Sequence, residues 1–67
     1  MKLYVERMKA ERENLEGKIK RVKKIVENVP YGMDKTQILL LVEQIKAMEV
    51  YLNCLDERMK YEEEKDA

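Results

Sequence analysis

"NVPYGMDKTQ", residues 28–37, decides how this chain folds. Pro30 lacks the amide hydrogen a helix interior needs, and Gly32 is free to take a positive φ, so a helix arriving at Asn28 has to stop. Asp34 then offers a side-chain oxygen to the first amides of a new helix. Gln37, three positions on, is placed to reach back in a capping box. On both sides of this punctuation, charged and apolar residues recur with helical period, and no strand pattern competes. The expectation is an all-α, antiparallel two-helix hairpin with one domain over residues 1–67. Helix 1 covers about 2–28, the turn 29–34 and helix 2 about 35–64, with the terminal "EEEKDA" fraying.

Each side of the turn carries a contact line. In the second helix it is Ile38, Leu41, Ile45, Met48, Leu52, Leu55 and Met59, alternating steps of three and four. The first helix answers with Met1, Val5, Met8, Arg12, Leu15, Ile19, Val22, Val26 and Val29. Helices of about 40 Å joined by a short turn must lie antiparallel. Folding the chain at residues 31–32 sets Tyr4 near Arg58 and Met59, Arg12 near Tyr51, and Lys18 near Ile45. Arg12 is the one seam position that is not apolar. Either it snorkels out with only its stem buried, or it is kept there for a ligand.

Sixty-seven residues supply a thin core, because a domain of this size buries only about 60% of the surface its unfolded chain exposes. One cysteine excludes an internal disulfide, and without histidine a zinc site would rest on carboxylates and that thiol, so neither a metal nor a cofactor is expected. Cys54 lies within a helical pattern and reads as a small, half-buried hydrophobe. Fourteen basic and fourteen acidic residues cancel, which argues against a general DNA or RNA binder. The longest apolar run, Ile38 to Val42, is far too short to span a bilayer, and "MKLYVERMKAER" becomes charged too early for a signal peptide. A reducing, intracellular compartment follows from the cysteine usage. The start of helix 2 is apolar nearly all round, more than one neighbouring helix can cover. Ile38, Leu39, Leu40, Val42 and Ala47 are therefore expected at an interface between copies, in a symmetric helical oligomer anywhere from a dimer to a hexamer.

Two features carry polar chemistry. Beside the helix 2 seam runs a second line, Gln44, Ala47, Tyr51, Cys54 and Arg58, mixing amide, small, aromatic and cationic groups. In helix 1, "KIKRVKK" (18–24) holds five cations. Lys20, Lys23 and Lys24 point outward and Lys18 and Arg21 flank the seam. This is either a solvated face that suits the negative end of the helix dipole or an anion site. Gly17, in mid-helix, costs roughly 1 kcal/mol relative to alanine and suggests close packing at that point.

The residues Tyr4 and Arg7, then Leu15, Lys18 and Ile19, then Gln44, Ala47, Met48, Tyr51, Leu55 and Arg58 form a pattern. It is Tyr-x-x-Arg, Leu-x-x-Lys-Ile, and Gln-x-x-Ala-Met-x-x-Tyr-x-x-x-Leu-x-x-Arg. The hairpin that carries it resembles the phage anti-CBASS and anti-Thoeris sponge proteins over most of the chain. The resemblance implies a symmetric oligomer, hexameric in known members, that sequesters cyclic nucleotide alarm signals in the cytoplasm of an infected bacterium. The pattern's Tyr4, Arg7, Lys18, Gln44, Tyr51 and Arg58, joined by the seam cation Arg12 and by Arg21 of the basic cluster, make up the expected ligand set. The chemistry is coherent with this. Aromatic rings stack bases, arginine forks and lysines take phosphates, and an amide reads a base edge. No general base, nucleophile or glycine-rich phosphate loop stands out, so catalysis is not expected. The competing reading is a coiled-coil interaction module, an adaptor, antirepressor or antitoxin-like partner. In it the second line packs a foreign helix and Tyr51 and Tyr61 are interface aromatics. An RNA-binding hairpin is a weaker third, given the zero net charge.

Overall fold

The computed structural model describes residues 3–66 and shows two helices, α1 (Leu3–Glu27) and α2 (Lys35–Asp66), packed against each other along their length. The turn follows its residue chemistry. The amide of Met33 donates to the carbonyl of Pro30 at 3.2 Å, and Gly32 carries a φ of 91° at the third position of that turn, where a side chain would be strained. Asp34 caps α2 as expected. The Gln37 amide donates to Asp34 Oδ1 and the Asp34 amide to Gln37 Oε1, both at 2.8 Å, so two otherwise unpaired donors are satisfied reciprocally.

The core is one strip of apolar side chains. Val5, Met8, Leu15 and Ile19 of α1 and Ile45 and Leu55 of α2 are buried, with Met48, Leu52 and Met59 packed half-buried around them. Leu55, with no exposed surface at all, is its centre. No polar side chain of the described residues is buried. The rod measures 51 × 15 × 14 Å. Its radius of gyration is 15.4 Å, against about 11 Å for a compact domain of 67 residues.

Four details differ from the sequence reading. Residue 28 is already outside α1, and Val29 is 44% exposed beyond the helix end instead of in the seam. α2 continues through Asp66 without fraying at Glu62. A tertiary bond accounts for this, because the Tyr4 hydroxyl donates to Glu62 Oε2 at 2.6 Å and ties the last turns of α2 to the first turn of α1. Gly17 meets nothing that requires glycine. A methyl group there would touch only the far end of Arg21 (Nη1), at an ordinary 3.7 Å. Met1 lies outside the described residues.

The register also shifts. Tyr4 finds Glu62 and Arg12 finds Asp56, each partner farther toward the C-terminus of α2 than a fold about the turn midpoint places it. Side chains on a helix lean toward its N-terminus, so on antiparallel helices the two leans oppose and the contacting pairs slide outward.

Candidate functional site

The hairpin has two long edges where α1 and α2 meet, and they are furnished differently. Along one edge cations and carboxylates alternate. The Arg12 guanidinium donates from Nε to Asp56 of α2 and from Nη1 to Glu16 at 2.8 Å. Glu16 also meets Lys20 at 3.4 Å, and Lys23 reaches across to Glu49 at 3.1 Å. The hydrogen bond with Asp56, followed by that carboxylate's charge and then Glu16, holds the Arg12 pKa above its ordinary value against the opposing effect of partial burial. Arg12 therefore stays charged and committed to its two carboxylates. It neither snorkels alone nor faces Tyr51.

Along the other edge lies a groove of about 410 Å³, lined by Arg7, Ala10, Glu11, Asn14, Leu15, Lys18 and Tyr51. The α1 members follow one face of the helix, since 7, 11, 14 and 18 are spaced by four, three and four. Tyr51, 43% exposed, forms the opposite wall from α2, and buried Leu15 supplies an apolar floor. Among the described residues Arg7 and Lys18 have no carboxylate within ion-pair distance. They stand about 16 Å apart along α1 at 1.5 Å per residue. The groove thus has a cation at each end, a phenol ring on its α2 wall, and an acceptor pair, Glu11 and Asn14, between the cations.

Three of the eight sequence candidates, Arg7, Lys18 and Tyr51, come together in this groove. Arg21 follows Lys18 on the same α1 face and is exposed, as is Gln44, one heptad before Tyr51 on α2. Arg58 lines a second hollow of about 350 Å³ with Met8, Glu57, Tyr61 and Glu62. Tyr4 engages Glu62, and Arg12 sits on the opposite edge. Cys54 is exposed, not half-buried, unlike Tyr51 and Arg58 of the same line, which line hollows against α1. Glu11 and Asn14 were not singled out in the sequence, where a glutamate and an asparagine on a charged helix look like solvated face. Their spacing from Arg7 and Lys18 was the available signal.

Of the expected interface residues, Leu39, Leu40 and Ala47 are exposed, while Ile38 and Val42 are half-buried. Among the described residues no helix is long and apolar enough to cross a membrane.

A family model described as Sequestin matches residues 2–61. No curated protein and no solved structure matches the chain.

Proposed function

The chain belongs to the Sequestin family, phage anti-defence proteins, and on that premise we propose that it is a sponge for cyclic nucleotide immune signals. In this reading the protein works as a homo-oligomer in the cytoplasm of the infected bacterium. It binds a cyclic oligonucleotide or a cyclic ADP-ribose-type molecule and keeps it from its receptor. No bond is made or broken, so no nucleophile or general base is required.

The observation that carries the reading is the contrast in pairing between equivalent cations. Arg12 is neutralised by Asp56 and Glu16, whereas Arg7 and Lys18 flank an aromatic ring in a groove without carboxylate partners of their own. Separated cations suit a ligand with more than one anionic group. A tyrosine face suits a base, at roughly 1–3 kcal/mol per stacked base. Glu11, between the cations, repels phosphate and so directs the phosphates to the groove ends. Its carboxylate accepts hydrogen bonds from ribose hydroxyls or an exocyclic amine, and Asn14 reads either kind of group. Arg21 and Gln44 extend the same edge toward the turn and contact a ligand larger than one nucleotide.

The exposed apolar residues of α2 favour a second reading, an interaction module that docks a helix of another protein. Leu40, Val50 and Tyr61 are each more than 60% exposed. A thermal-shift panel of cyclic dinucleotides, cyclic trinucleotides and cyclic ADP-ribose isomers separates the two. A ligand at 100 times its Kd adds about 2.7 kcal/mol of folding stability. A shift with one class supports the sponge, and no shift with any of them returns the protein to the interaction module.

A further inference from the structure

The outward face of α2 carries Leu40, Ala47, Cys54 and Tyr61, spaced by seven residues, with Val50 and Tyr51 between the middle pair. In the hairpin all of these are exposed. Sevenfold spacing is a helix-packing seam, and α1 does not occupy it. The surface of the chain is also in excess. It measures 5361 Å², where a compact monomer of 8.1 kDa exposes about 4,500 Å². The difference is close to the area of about 800 Å² that each partner buries in a stable interface.

We propose that a second copy of this chain covers this face, with the two α2 helices antiparallel about a two-fold axis passing between Val50 and Tyr51. The proposal rests on the oligomer reading above and fixes its orientation and register. Three coincidences of sequence point to this axis. It sets Leu40 level with the partner's Tyr61, large against large. It sets Ala47 level with the partner's Cys54, small against small, which lets the backbones approach. It sets Glu43 level with the partner's Arg58, opposite in charge. Within one chain Arg58 has no carboxylate within ion-pair distance among the described residues, and Glu43 has only an exposed contact with Lys46 at 3.4 Å. Both are therefore available to an intermolecular pair. In this arrangement Arg58 holds the partner instead of the ligand. Because Tyr51 belongs to both the groove and the seam, the second copy stands at the edge of the groove and adds to its wall.

Cys54 is the sole thiol and makes the register directly testable. In the proposed dimer the two Cys54 residues are displaced by about 10 Å along the helices, beyond the roughly 7 Å between Cα atoms that a disulfide can bridge. Ala47→Cys places a thiol level with the partner's Cys54, twice per dimer. Mild oxidation of the Ala47→Cys variant should give a covalent dimer on a non-reducing gel at least about tenfold faster than oxidation of the parent protein. Ala47→Cys combined with Cys54→Ser should lose that gain. A parent protein that cross-links as fast as the variant would overturn the proposal, because it would bring the two Cys54 residues together. Sedimentation as a dimer or larger without Ala47→Cys cross-linking would overturn this register while leaving self-association standing. A folded monomer at micromolar concentration would overturn both, and a ligand-induced thermal shift would still report on the sponge reading separately. A charge reversal supplies a second handle if the new thiol disturbs folding. Glu43→Arg should weaken the dimer, and adding Arg58→Glu should restore it. Failure of that rescue would count against the proposed register.

Discussion

The two edges of the hairpin use the same residue types for opposite ends. On the edge of Arg12, each cation that faces α2 has a carboxylate, and the ladder from Lys20 through Glu16 and Arg12 to Asp56 leaves little charge for a ligand. On the edge of Tyr51, Arg7 and Lys18 stand without such partners beside an open ring. Composition does not separate these edges, since both are rich in arginine, lysine and glutamate. What separates them is whether the opposite helix presents a carboxylate at the right level. A cation answered from within stabilises the fold modestly, and one left unanswered is available to something outside.

The largest effect tests what both edges depend on. Leu55→Ala removes the only side chain among the described residues with no exposed surface, and a core deletion of this kind costs about 2–5 kcal/mol. In a chain of 67 residues that is most of the available stability. Circular dichroism should show a largely unfolded variant at room temperature, with ligand binding and ion-paired edge lost together.

Next in size comes a change confined to the open edge. Tyr51→Ala should reduce affinity for the cyclic nucleotide by about ten- to a hundredfold, the equivalent of one lost base stack, with the helical content of the hairpin retained. Tyr51→Phe, which keeps the ring, should lose much less. A Tyr51→Ala variant that binds like the parent would remove the groove from the account.

How much of this was legible in the sequence depends on range. The turn and the capping box were, because Pro30, Gly32, Asp34 and Gln37 act on their own neighbours. Arg7, Lys18 and Tyr51 were legible as candidates, although their meeting in one groove was not. The role of Arg12 was hidden. Its partner Asp56 lies 44 residues away, and the opposed lean of side chains on antiparallel helices moves the pairing away from the simple midpoint. Gly17 misled for a related reason, since a mid-helix glycine signals close packing only when a neighbour presses on it, and here only the flexible end of Arg21 comes near, at an ordinary 3.7 Å.

Two smaller effects lie off the groove. Asp34→Ala should cost about 1 kcal/mol by removing the N-cap of α2, read as a lower denaturation midpoint with unchanged ligand affinity. Gly17→Ala should raise stability by roughly 0.5–1 kcal/mol, because the added methyl meets only the flexible end of Arg21 at an ordinary contact distance and the unfolded chain loses freedom. A destabilised Gly17→Ala variant would mean that another copy packs closely on α1 at that point.

The contrast between the edges is tested most directly by calorimetric titration of a cyclic nucleotide into three proteins: the parent, Lys18→Ala and Arg12→Ala. Both variants lose one cation from α1, so overall charge cannot explain a difference between them. Lys18→Ala should weaken binding about tenfold or more, the scale of one charge-assisted hydrogen bond, and Arg12→Ala should bind like the parent. Loss of binding in Arg12→Ala with parental binding in Lys18→Ala would contradict the account.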